Sequence, residues 1–254
     1  MSTLTERHQH IISKLKKEGM VKVVDLCQEL NVSSVTIRKD LKLLEDKELL
    51  YRTHGGGTLS NPYTVDRPVN EKAMIHSGEK SGIGEMAARL IEPNDCILIA
   101  SGTTVLSLAK NIQPRGTLTV ITAALNVAME LAHQPNIEVV QLPGMIRKSS
   151  SSVTGIYAEK MLEDFSCSKL FLGVDGIDPE FGLTTTNMME AQLNKKMIAA
   201  SQKTIVLADS SKFGKRGFGR ICPLEDIEQV ITDSNISDHM METLKGMGIE
   251  VTIV

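Results

Sequence analysis

Apolar positions in the first sixty or so residues recur at helical spacing. Over residues 3–18, "TLTERHQHIISKLKKE", Leu4, His8, Ile11, Ile12 and Leu15 fall near one face. That pattern predicts a helix, which Gly19 ends. "VVDLCQEL" predicts a second helix and "NVS" a tight turn, with Ser33 placed to cap a third helix. In that third helix Ile37, Leu41 and Leu44 stand at i, i+4 and i+7, an apolar stripe made for a core. The opposite side shows Val35, Lys39 and Lys42, flanked by Thr36 and Arg38. "LLYRTHGGGTLS" then alternates briefly before three glycines, which reads as a hairpin. Helix, helix, turn, helix and hairpin form the outline of a winged helix-turn-helix.

Residues 58–78 hold two prolines and no clear period, and read as a linker. From Glu79 onward the rhythm changes. "EKSGIGEMAARLI", "GTTVLSLAKNI" and "ALNVAMELAH" are helical, and the apolar runs "CILIA", "TLTVIT", "IEVVQLPG", "KLFLGVDGI", "TIVLADSS", "QVITD" and "VTIV" are strands. Continuous apolar strands alternating with helices imply a mainly parallel sheet covered on both faces. The expected organisation is a winged helix-turn-helix over residues 1–58, a linker over 59–78 and an α/β domain over 79–254.

Composition alters this picture little. The chain has 254 residues, 41% hydrophobic and 23% charged, ordinary for a soluble globular protein. The formal net charge of −3 is uneven: residues 1–60 carry net +2 and the rest −5, which fits a local anion-binding module. The four cysteines lie far apart with no metal-ligand spacing, so reduced thiols in a cytoplasmic protein are expected. No apolar run approaches the ~20 residues of a membrane span, so no membrane partner is expected. No metal or cofactor motif stands out.

A helix apolar behind and basic in front suits a polyanion. In a helix-turn-helix the N-terminal turns of the third helix enter the major groove of DNA. Ser33 and Ser34 can donate to phosphate there, as can the free N–H groups of the helix start, and Thr36 joins them on the DNA-binding face. Arg38 has the planar fork that matches guanine O6 and N7, whereas Lys39 is a point charge suited to phosphate. Arg52 and His54 fall on the expected wing. The "GGG" between its strands is either a flexible turn or a place of close backbone approach.

The second region offers an anion site of another kind. In "ILIASGTTVLSLA", Ser101, Gly102, Thr103 and Thr104 put three hydroxyls, a glycine and a helix start at the C-terminal end of a strand. That arrangement holds phosphate, although it is not a dinucleotide fingerprint. "LGVDGID" places Asp175 and Asp178 after a strand, and "VLADSSKFG" places Asp209 and Lys212 after another. These groups suit acid/base chemistry, hydrogen bonding to ligand hydroxyls, or simple turn formation. "LPGMIRKSSSS" adds Gly144, Arg147 and Lys148 on a basic loop.

The stretches "VSSVTIRKDLKLLE", "RTHGGG", "SGTT", "LPGMIRK", "LGVDGI" and "ADSSKFG" resemble, in order and spacing, the DeoR family of bacterial sugar-metabolism repressors. Within it, "TIRKDL", "RTHGG" and "LGVDGID" look most similar to glucitol-operon-type repressors. The resemblance implies a repressor that binds operator DNA and answers to a phosphorylated sugar or sugar alcohol. It also implies a homo-oligomer, dimer or tetramer, and a sensor domain similar to ribose-5-phosphate isomerase. Pro143 stands where the family commonly has the first of two glycines, leaving Gly144 as the match in that loop. The isomerase likeness raises a rival reading, a sugar-phosphate isomerase-like enzyme. The D-G-x-D of such enzymes survives as Asp175–Asp178, but "PEFGLTTTNMME" follows in place of their lysine and glycine run. A pocket that binds without turnover is therefore expected.

Overall fold

A computed structural model describes residues 4–47, 49–53, 55–59 and 67–254. The chain divides into two units, residues 1–65 and 66–254. The first contains α1 (Leu4–Glu18), β1 (Met20–Lys22), α2 (Val23–Leu30), α3 (Ser34–Glu45), β2 (Tyr51–Thr53) and β3 (Gly56–Thr58). Its core is made by Ile11 and Leu15 of α1, Leu26 of α2, the Ile37, Leu41 and Leu44 stripe of α3, and Val21, Val23 and Leu50. Gly19 closes α1 with a left-handed φ of 76°, and its N–H donates to the Leu15 carbonyl at 2.8 Å.

Strand β1 was not expected from the pattern, being only three residues long. It pairs with β3 antiparallel, with Lys22 opposite Gly56, and gives the sheet order β1-β3-β2. A Cβ on Gly56 would lie 1.7 Å from the Val21 carbonyl oxygen, so this glycine of the wing is a packing requirement rather than a source of freedom. The buried carboxylate of Asp40 ties α3 to α1. It accepts from Arg7 Nε at 2.8 Å and Nη2 at 3.0 Å, with His8 Nε2 at 3.2 Å. The hydrogen bonds to Asp40 raise the Arg7 pKa above its ordinary value.

The second unit opens with α4 (Val69–Ala73) and α5 (Ser77–Ala88), followed by β4 (Cys96–Ile99), α6 (Thr103–Asn111), β5 (Leu118–Thr122), α7 (Leu125–Leu131) and β6 (Ile137–Gln141). A hairpin of β7 (Met145–Arg147) and β8 (Ser152–Thr154) leads to α8 (Ile156–Met161), β9 (Cys167–Gly173), β10 (Gly176–Asp178) and β11 (Gly182–Thr185). The chain finishes with α9 (Met188–Ala199), β12 (Ser201–Leu207), β13 (Gly219–Cys222), β14 (Gln229–Thr232), α10 (Asp238–Gly246) and β15 (Glu250–Ile253). Seven of the strands form one parallel sheet in the order β15-β14-β12-β9-β4-β5-β6. Its strands are apolar on both faces. Leu98, Leu170 and Val206 enter one core with α9 and α10, while Ile97, Phe171 and Ile205 enter the other with α5, α6 and α7.

The linker expectation needs correction. Residues 67–78 carry α4 and the first two residues of α5, so the helix expected from Glu79 onward begins at Ser77. A five-residue helix is too short to show a period in sequence. It is fixed instead by Val69, which is buried and whose N–H donates to the Ser149 carbonyl at 2.6 Å. Residues 60–66 of the expected linker lie outside the described residues. Among the described residues no helix is long and apolar enough to cross a membrane.

The small core of the first unit makes it sensitive to truncation. Ile37→Ala should lower the stability of residues 1–65 by about 2–5 kcal/mol, the usual range for a buried large-to-small change. The unfolding transition of the α/β unit, followed in the same chain by calorimetry, should not move.

Candidate functional site

Two sites follow from the sequence expectations. The first is the outer face of α3. Ser33 caps the helix: its Oγ accepts from the Thr36 N–H at 3.3 Å and lies 3.0 Å from Thr36 Oγ1. Ser33, Ser34, Arg38 and Lys39 are exposed and Thr36 is half-buried, so the hydroxyls and cations share the side of α3 turned from the core. Val35, 59% exposed, is an apolar spot among them. Arg52 on β2 is held by Glu45. Its N–H donates to Glu45 Oε1 at 2.8 Å, and its guanidinium stands 3.8 Å from the same carboxylate. His54 lies outside the described residues.

The second site is a cavity at the C-terminal ends of β4, β9 and β12. In chain order the seven parallel strands run outward both ways from β4 and β9, so the loops after those two strands leave in opposite directions. That is the topological switch point, where open α/β sheets bind ligands. The cavity is lined there by Ser101, Gly102, Thr103 and Thr104 after β4, by Gly173, Val174 and Asp175 at the end of β9, and by Lys212 after β12. Gly102 has φ 132° as it caps α6. The first N–H groups of α6, from Thr103 to Val105, have no acceptor within the helix. The Lys212 N–H donates to the Asp209 carbonyl at 3.0 Å, while its ammonium makes no hydrogen bond or ion pair among the described residues and acts on Asp175 through charge.

Asp175 is the central carboxylate. Oδ1 accepts from Lys72 Nζ at 2.9 Å, and Oδ2 accepts from Thr185 Oγ1 at 3.1 Å and the Thr186 N–H at 3.2 Å. Burial pushes its pKa up, but the charges of Lys72 and Lys212 and the hydrogen bonds from Lys72 and Thr185 outweigh that, and the net shift is downward. Glu190, buried at the start of α9, accepts from Ser101 Oγ and from Arg147 Nη1. Arg147 thus reaches the cavity wall through Glu190 without lining the cavity itself. Gly144 does not line it either. A Cβ there would lie 2.6 Å from the Thr154 carbonyl oxygen, so the glycine serves the approach of the β7–β8 hairpin.

Sequence reasoning left several roles open for the aspartates. Asp178 accepts from the Glu180 and Phe181 N–H groups at 3.0 and 2.8 Å and pairs with Arg216, so it forms a turn away from the cavity. Asp209 caps a short 3-10 turn by accepting from the Ser211 N–H at 3.1 Å. Lining residues that the pattern missed are Val69, Lys72, Ser149, Ser150, Thr185 and Glu190. One signal was present: "TTTN" before α9 repeats the hydroxyl-rich strand end and helix cap already noted in "SGTT".

Two family models match. Residues 7–62 match the DeoR-like helix-turn-helix domain and residues 75–234 the DeoR C terminal sensor domain. The chain is 34% identical over 252 residues to a putative aga operon transcriptional repressor of Escherichia coli O157:H7, covering 98% of this chain and 94% of that one. It is 34% identical over 251 residues to the uncharacterized HTH-type transcriptional regulator YulB of Bacillus subtilis (strain 168), covering 99% and 97%. Among solved structures, ribose 5-phosphate isomerase A from Methanocaldococcus jannaschii aligns with 53% of each chain at 18% identity and a TM-score of 0.39.

Lys80 of α5 lies behind the cavity and is buried. Its ammonium donates to the Lys72 and Ile75 carbonyls at 2.7 and 2.6 Å. Burial lowers its pKa from 10.5 to about 8; Asp209 opposes this, and Lys212 and Lys72 reinforce it. The native protein therefore releases this proton before the unfolded chain does. Between about pH 8 and 10.5 the group adds stability as pH rises, because the unfolded state then binds more protons. The Lys80 side-chain carbon resonances should titrate near pH 8, well apart from those of exposed lysines. Titration with the bulk lysines would show that the site is open to water.

Proposed function

The chain belongs to the DeoR family of transcriptional regulators, and from that premise we propose that it represses a carbohydrate-utilisation operon under the control of a phosphorylated sugar or sugar alcohol. It works in the cytoplasm as a homo-oligomer, a dimer or tetramer, on double-stranded operator DNA. Two copies of α3 enter successive major grooves about one helical turn, or a multiple of it, apart. Arg38 reads a guanine edge. Ser33, Ser34, Thr36 and Lys39 fix the helix against phosphates. Arg52 and His54 add wing contacts, Arg52 by exchanging Glu45 for a phosphate.

The observation that carries the effector reading is the switch-point cavity, with hydroxyls and a helix start after β4, a carboxylate after β9 and a lysine after β12. A phosphate has three acceptor oxygens and nearly two negative charges. Ser101, Gly102, Thr103, Thr104 and Lys212 match it, while Asp175 accepts hydrogen bonds from sugar hydroxyls. Arg147 and Gly144 shape the wall behind Ser101 and its neighbours. The same geometry favours binding over isomerisation. A proton shuttle needs a free base beside the substrate carbon. Asp178 is engaged with Arg216, and Glu190 is held by Arg147 and Ser101.

Arg38→Ala should lower specific affinity by about 1–3 kcal/mol and relax preference at one operator position. Lys39→Ala should weaken binding to all sequences and make the salt dependence shallower. Selection from a random duplex library measures both, and an unchanged sequence preference in Arg38→Ala removes the base-reading role.

Thr103→Ala and Lys212→Ala should fold and bind operator but fail to respond to the sugar phosphate. In cells they would repress permanently. Operator binding with and without a panel of sugar phosphates decides the point: release at wild-type concentrations puts the phosphate elsewhere.

A further inference from the structure

Helix α4 stands in an unusual position along the chain. Val69, its first residue, comes four positions after Val65, the end of the DNA-binding unit, yet Val69 and Lys72 both line the cavity. A helix of five residues has no stability of its own in water, so its position depends on what anchors it. Among the described residues its anchors include the burial of Val69, packing against α6 and a set of hydrogen bonds. The Val69 N–H donates to the Ser149 carbonyl, Lys72 Nζ donates to Asp175 Oδ1, and the Lys72 and Ile75 carbonyls accept from Lys80. Ser149 and Asp175 are themselves cavity residues. An occupant therefore meets the anchors of α4 directly.

We propose that Lys72 is an effector-contacting residue, which exchanges Asp175 for the bound phosphate ester and so shifts the segment that leads to the DNA-binding unit. The inference rests on the phosphate site proposed above. Asp175 offers Lys72 one negative charge, whereas a phosphate monoester carries about 1.5 to 2. At similar distance the phosphate attracts the ammonium up to about twice as strongly. A ligand hydroxyl then takes the place of Lys72 at Asp175 Oδ1, while Oδ2 keeps Thr185 and the Thr186 N–H. Lys72 and Asp175 each keep a polar partner in both states, Asp175 exchanging an ammonium for a hydroxyl donor. The empty site is closed by an internal ion pair, and the filled one by ligand contacts to both partners.

Hydrogen exchange on the full chain tests this, with inorganic phosphate and a panel of pentose, hexose and hexitol monophosphates as probes. A probe that protects residues 101–105 should also change exchange across residues 67–76. Lys72→Met should keep the protection at 101–105, at higher probe concentration, and lose the change at 67–76. Its probe-dependent change in operator affinity, about 5- to 150-fold in a typical coupled system, should collapse toward unity. Lys72→Arg should restore part of both responses. Asp175→Asn approaches the same contact from the other side and should alter exchange at 67–76 with no probe present. Protection at 101–105 with 67–76 unchanged in the wild type overturns the role of Lys72 and leaves the phosphate site standing. So does an operator response in Lys72→Met equal to that of the wild type, or unaltered exchange at 67–76 in Asp175→Asn. If no probe protects 101–105, the phosphate site fails and the role of Lys72 fails with it.

Discussion

The cavity depends on the pairing of β4 with β9. These two strands lie side by side in the sheet, with Leu98 opposite Leu170 and Ile99 opposite Phe171, although some seventy residues separate them in the chain. The ladder runs on past β4, where the Ala100 N–H donates to the Phe171 carbonyl at 3.0 Å. It brings two loops together that then diverge to opposite faces of the sheet. The approach is tight. A Cβ on Gly173 would lie 2.9 Å from the Ser101 carbonyl oxygen, so the residue ending β9 has to be small for the hydroxyl loop to sit where it does. With that pair in register, Ser101–Thr104, Asp175 and Lys212 have little choice of position, because each follows a buried strand by only a few residues.

Charge inside the cavity is balanced by contacts that a ligand can replace. Lys72, Lys80 and Lys212 face Asp175 and Asp209, while Glu190 is matched by Arg147. The lining itself carries two lysines and two carboxylates, and a surplus of one positive charge comes from Lys80, Arg147 and Asp209 behind it, which suits an anion. Buried charges without partners are costly, and a ligand-free pocket of this kind needs internal pairs to stand open. The lowered pKa of Asp175 expresses the same balance, since it keeps the carboxylate ionised beside its lysines at neutral pH. A catalytic base needs the opposite, a pKa raised toward the working pH. Asp175 is thus set up as an ionised hydrogen-bond acceptor.

How much of this was legible in the sequence varied with the length of each element. Helix α3 was plain, because an N-cap and three apolar positions at i, i+4 and i+7 are local signals. The parallel strands were plain because both of their faces are buried, which makes each an unbroken apolar run. Strand β1 and helix α4 were hidden, since three and five residues cannot display a period. The cavity was read in part. Ser101–Thr104, Asp175 and Lys212 lie at strand ends, where the topology predicts ligands. Lys72 and Glu190 reach it by long-range packing, through contacts 103 and 89 residues apart in the chain that no local pattern encodes. Asp178 and Asp209 could not be told from Asp175 by spacing. Their partners decide it: two backbone N–H groups for Asp178 and a helix-cap bond for Asp209 make them turn residues.

The first unit sets the thermodynamic terms of any switch. Its residues 1–60 carry net +2, and the rest of the chain −5, so electrostatic attraction to DNA is modest and confined to one unit. A single α3 presents one arginine able to read a base edge with two parallel bonds, within the Ser33–Lys39 turns. Under the homo-oligomeric reading proposed above, specific affinity comes from two units engaging one duplex together. Joining two modest contacts can raise affinity by about 10²–10⁴-fold without any new contact, and the gain vanishes when geometry forbids both at once. An effector in such an assembly does not need to touch the DNA face or unfold anything. It needs only to favour one spacing of the two units, since a ligand with equal affinity for both arrangements shifts neither. The described chain between the core of the first unit and the sheet of the second carries α4 and α5, and of these α4 is too short to hold a position without the cavity behind it.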